Sequence, residues 1–194
     1  PSTGRQSVSN AETSSPFSGI GFWESLLDQG HQITAIAGSD SHDPDRPGDA
    51  PGALGRPATV IWAHSLSQAD LMTGLRAGRA FVDLTHPGLA AFDIEARSED
   101  ARARMGGQLN TPAGQTTVFR VAVEGAPPAR LHVVEPGKVV EVLPLPAGAQ
   151  AEVTFTRRSE GRPGWLRVEL RDLEGVLLAL SNPIYLNAPA APAP

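Results

Sequence analysis

The 194-residue chain contains no cysteine, and this absence removes several kinds of site from consideration. A chain without cysteine has no disulfide, no thiolate-ligated zinc and no cysteine nucleophile. No stretch approaches the roughly 18 consecutive apolar residues that a membrane-spanning helix needs, so we predict no membrane span. Basic residues are fewer than acidic ones, 16 against 21, which argues against a nucleic-acid partner held through its phosphates.

The residues that are present favour a folded chain with many turns. Hydrophobic residues make up 40% of the sequence and charged residues 19%, which is enough apolar material for a core. The 20 glycines and 18 prolines favour short strands and turns over long helices. The first residue is proline rather than methionine, which predicts a processed or excised piece and leans toward a periplasmic or secreted protein.

Changes in composition and periodicity divide the chain into four parts. Residues 1–18 predict a flexible segment, and residues 188–194 form an Ala/Pro tail. Residues 19–87 alternate helical and strand patterns, which is typical of a parallel sheet. Residues 88–187 contain short alternating runs between turns and predict an Ig-like β-sandwich. The predicted fold class is therefore α/β plus all-β.

Individual elements follow from the same patterns. In residues 19–87 we predict a helix that ends at Gly30, a second helix that begins at Ser67, and strands at residues 31–37, 58–63 and 80–84. In the second part we predict strands at residues 91–96, 116–123, 130–135, 138–143, 151–156, 165–171, 176–180 and 183–186. The regular alternation of residues 166–171 predicts one apolar face and one solvent-facing charged face.

A carboxylate and an imidazole follow the first predicted strand. Asp40 and His42 stand two residues apart in a Gly/Ser-rich stretch. If the chain stays extended, side chains at i and i+2 point to the same face, with Cα atoms about 6.5 to 7 Å apart. Both groups are common ligands of divalent metals, so the pair predicts part of a metal site. The competing interpretation is a solvated loop in which Asp40 forms a turn.

The sequence around this pair resembles a known family. FWESLLDQG at residues 22–30 and ITAIAGSDSH at residues 33–42 resemble the last metal-ligand motif of PHP-type metallohydrolases, especially the CehA/McbA-like branch. Later segments agree with that branch in order: GRPATV at 55–60, LRAGRAFV at 75–82, GWLRV at 164–168 and SNPIYL at 181–186. The resemblance extends over residues 22–186.

This resemblance implies the carboxyl-terminal portion of a distorted (β/α)7 barrel with two or three divalent ions, Zn, Mn or Fe, bound by His, Asp and Glu. Matched to the motif, Asp40 and His42 are metal ligands. The early His-x-His motif of the family and its intermediate ligands have no counterpart here. The resemblance therefore implies that an amino-terminal part of the same enzyme supplies the remaining ligands, and that this chain alone is inactive.

The implied activity is hydrolysis of a phosphoester, ester or carbamate of a small molecule by metal-activated water. Arg56 is a candidate substrate-binding residue because guanidinium groups pair well with anions. No catalytic residue is identified. The alternative is a non-catalytic binding or interaction module built on the β-sandwich, which a row of exposed aromatic side chains would favour.

Overall fold

The structure, a computed structural model, describes residues 19–48, 50, 53–85 and 88–189. Of these residues, 42% lie in strands and 11% in helices. The two helices among them are α1 (Gly19–Asp28) and α2 (Gln68–Arg76). The strands are β1 (Ala58–Ile61), β2 (Ala80–Asp83), β3 (Ala91–Arg97), β4 (Arg102–Arg104), β5 (Gln108–Leu109), β6 (Thr116–Glu124), β7 (Ala129–Glu135), β8 (Lys138–Pro144), β9 (Gln150–Arg158), β10 (Gly164–Asp172), β11 (Leu177–Ser181) and β12 (Ile184–Leu186).

These strands form two sheets. In the larger sheet, β10 pairs with β7 on one edge and with β11 and then β12 on the other. Beyond β11 lie β2 and β1, beyond β7 lies β8, and β5 adds to β12 in the only parallel pairing among the described strands. The smaller sheet has the order β4-β3-β6-β9 and is antiparallel throughout.

The predicted fold class, an α/β barrel portion followed by an all-β domain, is wrong, because the chain is mostly β with two sheets that are antiparallel apart from the β5–β12 pair. β1 and β2 run antiparallel, with Val60 opposite Phe81. The backbone N–H of Trp62 donates to the carbonyl of Arg79 at 2.8 Å, so α2 lies in the long connection of a hairpin. β2 then uses its other edge to pair with β11, which leaves it no parallel neighbour.

The strand predicted at residues 31–37 is also wrong. These residues form neither helix nor strand, and among the described residues their backbone makes no ladder with a neighbouring strand. A strand needs a neighbouring backbone whose N–H and carbonyl groups match its own. Here the hydrogen-bond partners are the side chains of Asn182 and Thr59. The stretch therefore packs against the molecule without joining a sheet.

One hydrophobic core lies between the two sheets. Alternate side chains of β3, β6 and β9 meet those of β7, β10 and β11 in a single buried cluster. Within it, the rings of Phe119 and Phe155 stack at 5.2 Å, and Phe81 and Phe92 meet edge to face at 5.7 Å. Phe81 comes from β2, so residues on both sides of position 88 build this core.

A second cluster lies on the outer face of the larger sheet, under α1. Trp23 and Leu27 of the helix pack there with Trp165 and Tyr185. Gly30 ends the helix as predicted, with a φ of 88° and its N–H donating to the carbonyl of Leu27 at 2.9 Å. The larger sheet is therefore covered on both faces where α1 crosses it.

The eight strands predicted in the second part are confirmed by β3 and β6 to β12, whereas the short β4 and β5 were not predicted. The prediction that residues 166–171 have a solvent-facing charged face is wrong, because residues 165–171 are all buried. The boundary near residue 88 stays a prediction, and hydrogen bonds between β2 and β11 connect the chain across it. The predicted flexible segment and most of the Ala/Pro tail lie outside the described residues.

Candidate metal site

The stretch that leads to Asp40 and His42, residues 31–37, is called the anchored segment here because side chains hold its backbone. The side-chain oxygen of Asn182 accepts a hydrogen bond from the N–H of Ala35 at 2.6 Å, and its nitrogen donates to the Ala35 carbonyl at 3.0 Å. The hydroxyl of Thr59 accepts from the N–H of Ala37 at 2.8 Å and donates to its carbonyl at 2.7 Å. Both backbone polar groups of two residues are thus bonded, as they would be in a sheet.

The beginning of the anchored segment is held by aromatic side chains. The indole N–H of Trp23 donates to the carbonyl of Ile33 at 2.8 Å. The buried Tyr185 forms a hydrogen bond with the backbone of Ile33. Burial raises the pKa of the Tyr185 hydroxyl to about 12. The hydroxyl of Thr34 adds a bond to the carbonyl of Leu75 at 2.9 Å. The segment is therefore fastened to α1, to α2 and to the larger sheet.

Asp40 and His42 are both exposed, just beyond the anchored segment. Asp40 has a φ of 50°, in the left-handed region that aspartate tolerates better than most residues. The chain is not extended at this point, so the same-face geometry expected for positions i and i+2 does not apply. Their role as metal ligands stays a prediction.

The described residues contain no group of three or more His, Asp or Glu side chains that could hold a metal ion. The next carboxylate along the chain, Asp43, is engaged in its own turn, where it accepts from the N–H of Asp45 at 3.2 Å. The guanidinium of Arg46 lies 3.9 Å from it at the surface. The described part of the chain therefore offers two candidate ligands near residue 40, Asp40 and His42, rather than a complete site.

Arg56, the candidate substrate-binding residue, is half-buried at the start of β1. Its side-chain Nε donates to the carbonyl of Leu84 at 3.1 Å, which ties the guanidinium to the end of β2. The positive charge of Arg56 suits an anion, and its substrate role stays a prediction.

A buried charge cluster of Glu24, Arg167, Glu169 and Arg171 lies under α1 on the outer face of β10. Arg167 contacts Glu24 through its Nε at 3.1 Å and Glu169 at 2.8 Å, and Arg171 contacts Glu169 at 2.7 Å. The three β10 residues are 1 to 2% exposed. Two positive and two negative groups compensate each other, which is the condition for burying them at all.

Burial and pairing move the acid–base equilibria of this cluster in opposite directions. Burial, helped by the negative charges of Glu169 and Asp28, raises the pKa of Glu24 against the opposing effect of Arg167. Burial would also raise the pKa of Glu169, but the guanidiniums of Arg167 and Arg171 together hold it below its usual value. Burial, helped by Arg171, lowers the pKa of the neighbouring His132. The outer face of β10 thus carries a compensated charge network with no exposed reactive group.

Sequence reasoning missed the anchoring side chains and the buried charges. Nothing near Asn182 or Thr59 signals a partner more than 20 residues away. A signal for the buried cluster was present in the sequence. Trp165 stands two, four and six residues before the buried charged residues of β10 and so lies on the same face of the strand, and a tryptophan on that face indicates that it is covered. Phe22, which precedes the buried Trp23 in α1, is 58% exposed.

The binding-module alternative calls for exposed aromatic side chains on the second part of the chain. All five aromatic residues between positions 88 and 189 are buried: Phe92, Phe119, Phe155, Trp165 and Tyr185. That stretch therefore lacks the feature that would favour the module, which stays a prediction.

The chain matches no protein-family model, no curated protein and no solved structure. Neither described helix is long and apolar enough to cross a membrane. The PHP resemblance consequently rests on the quoted sequence segments alone.

Proposed function

We propose that this chain supplies two ligands, Asp40 and His42, to the metal site of a PHP-type hydrolase whose remaining ligands come from further polypeptide. The supporting observation is that two exposed, ligand-type side chains directly follow a segment held by Trp23, Asn182 and Thr59. Metal ligands on a fixed backbone lose less conformational entropy on binding than ligands on a free loop.

The anchored segment also has room for a neighbour. The side chains that hold its backbone bond to Ile33, Ala35 and Ala37, which alternate as in an extended chain. Within the described residues, the intervening backbone groups of Thr34 and Ile36 have no hydrogen-bond partner, and the Ile36 side chain is 67% exposed. An additional extended chain that pairs there would lie next to Asp40 and His42.

The available donors fit part of a site for Zn, Mn or Fe, since a carboxylate and an imidazole are ligands of all three metals. A catalytic metal generally needs three or more protein ligands, so we expect weak metal affinity and no turnover from residues 1–194 alone. When bound, a divalent cation would activate water and stabilise negative charge during hydrolysis of a phosphoester, ester or carbamate. In this proposal Asp40 and His42 hold and orient the cation.

Among these substrates, Arg56 favours the phosphoester. Its guanidinium is half-buried and oriented by Leu84, and a doubly charged phosphate gains more from such a group than a neutral ester or carbamate does. Substitution of Arg56 by Gln should therefore raise KM for p-nitrophenyl phosphate more than for p-nitrophenyl acetate.

The main test uses the natural polypeptide that contains this sequence together with its flanking residues. Its metal content is measured by mass spectrometry, and hydrolysis is followed with p-nitrophenyl phosphate, acetate and N-methylcarbamate. We expect Asp40→Asn and His42→Gln each to lose metal and to lower kcat/KM by about 100-fold or more.

Asp43→Asn and His31→Gln are the matched controls, since they remove the same chemical groups from exposed positions nearby. Both controls should keep metal and activity. Unchanged metal content and turnover in Asp40→Asn and His42→Gln would overturn the proposed function.

A further inference from the structure

We infer that Asn182 and Thr59 are positioning residues for Asp40 and His42, an inference that rests on the proposed metal site. The two side chains are called the clamp below. They bond the backbone N–H and carbonyl groups of Ala35 and Ala37, which precede Asp40 by five and three residues. In this inference the clamp acts on Asp40 and His42 through the backbone of the residues between Ala35 and His42.

Asn182 occupies the junction between β11 and β12. Both strands pair with β10, with Leu180 opposite Glu169 and Ile184 opposite Leu166, but Pro183 stands between them and has no N–H to donate. The strand pairing is therefore interrupted here. The interruption leaves the Asn182 side chain to bond other parts of the chain.

The amide of Asn182 satisfies its polar groups entirely within the protein. Its oxygen accepts from the Ala35 N–H, and its nitrogen donates to the carbonyls of Ala35 and, at 2.7 Å, of Ala80 in β2. One side chain, 1% exposed, thus joins the anchored segment to β2 and to the β11–β12 junction. Because the buried amide makes all three of these hydrogen bonds, it has one favourable orientation. Its two bonds to Ala35 fix the backbone of that residue relative to β2.

Thr59 repeats this arrangement two residues further along the segment. Its hydroxyl accepts from the N–H and donates to the carbonyl of the same residue, so Ala37 is held from β1 as Ala35 is held from the β11–β12 junction. Two fixed points define a direction as well as a position. Metal ligands must be placed within about 0.5 Å of their productive geometry. Loss of the hydrogen bonds at either Ala35 or Ala37 should therefore weaken metal binding.

Two substitutions release the clamp in different ways. Asn182→Asp keeps the acceptor for Ala35 and removes both donors, and Thr59→Val keeps the shape of the side chain and removes both bonds. Asn187→Asp is the matched control, because Asn187 also accepts from a backbone N–H, that of Thr111 at 2.7 Å, and donates to Ser159 at 3.2 Å. It follows β12 and holds neither Ala35 nor Ala37.

The first readout is amide hydrogen exchange of the 194-residue chain, measured by NMR. The N–H groups of Ala35 and Ala37 should exchange about tenfold faster or more in Asn182→Asp and Thr59→Val, and at the wild-type rate in Asn187→Asp. If Asn182→Asp does not fold, Thr59→Val alone carries the test. Unchanged exchange at Ala37 in Thr59→Val overturns the clamp.

The second readout separates positioning from general stability. In the natural polypeptide, we expect the clamp variants to bind Zn²⁺ about tenfold more weakly, whereas Asn187→Asp binds it as the wild type does. If Asp40→Asn loses the metal but both clamp variants retain full affinity, the positioning role is overturned and the metal site stands. If Asp40→Asn and His42→Gln retain the metal, the proposed function fails and this inference fails with it.

Discussion

Residues 88–189 bury their large hydrophobic side chains more completely than residues 19–85 do. Exposed large hydrophobic residues in the shorter amino-terminal stretch are Phe22, Ile33, Ile36, Leu54, Trp62, Leu66 and Met72, against Val118, Val142 and Leu173 in the longer one. The longer stretch supplies most of the core between the two sheets, whereas in the shorter stretch β1 and β2 join the larger sheet and the anchored segment is held by individual contacts. Two of the exposed hydrophobic residues, Ile33 and Ile36, belong to the anchored segment that precedes Asp40 and His42.

The two stretches should therefore respond differently to mutation. Side chains in the shared core lose many contacts when they are shortened. In the amino-terminal stretch, stability should depend on a few specific groups, chiefly the buried charge cluster under α1 and the side chains that hold the anchored segment.

The largest effect is expected in the shared core. Phe119→Ala removes a fully buried ring that stacks on Phe155, and should lower the free energy of unfolding by about 4 kcal/mol. The same change at Phe22, 58% exposed, should alter it by about 0.5 kcal/mol or less. Both are measured by urea denaturation. Equal losses would show that the two stretches do not differ in packing.

A somewhat smaller effect is expected from the buried charge cluster. Arg167→Ala leaves Glu24 and Glu169 buried without their shared partner, and should cost about 3 kcal/mol in the free energy of unfolding. The indole of Trp23, which lies against Arg167, should shift its fluorescence to longer wavelength as α1 loosens. The control is Arg120→Ala, which breaks an exposed pair with Glu152 and should leave stability unchanged. A wild-type emission spectrum in Arg167→Ala would show that the cluster does not hold α1.

The smallest effect is a difference in pH dependence between two carboxylates of that cluster. The pKa of Glu169 is lowered in the folded state, so its contribution to stability is present above its unfolded value near 4.5 and is lost as the pH falls through the lower folded pKa. The pKa of Glu24 is raised, so the folded state gains stability as the pH falls through that higher pKa.

Comparison with Glu169→Gln and Glu24→Gln measures these contributions from pH 7 downward. The stability advantage of the wild type over Glu169→Gln should shrink on acidification, and its stability relative to Glu24→Gln should rise. Parallel trends in the two comparisons would contradict the opposite shifts assigned to the two groups.

The strands of residues 88–189 could be predicted because most of them face the core on one side only. β6 and β9 alternate buried and exposed residues along most of their length, so the period of two is visible in the sequence. β10 shows the limit of this reasoning. Its charged residues also alternate with apolar ones, yet α1 covers the charged face, and alternation alone does not reveal a cover supplied by a distant element.

The arrangement of residues 19–85 could not be read from the order of its elements. A strand, a helix and a strand predict a parallel unit, but the free edge of β2 pairs with β11, nearly 100 residues later. The anchored segment depends on Asn182, which is 147 residues from Ala35 in sequence. The left-handed backbone of Asp40 is likewise a local conformation that the spacing of Asp40 and His42 does not encode.

The most direct test of the account is a Zn²⁺ titration of the 194-residue chain, followed by NMR of the imidazole rings of its five histidines. We predict that the ring of His42 shifts at the lowest zinc concentration, with weak affinity, and that Asp40→Asn raises the concentration required. If all five rings shift together, or if another histidine responds first and Asp40→Asn changes nothing, the pair does not bind metal.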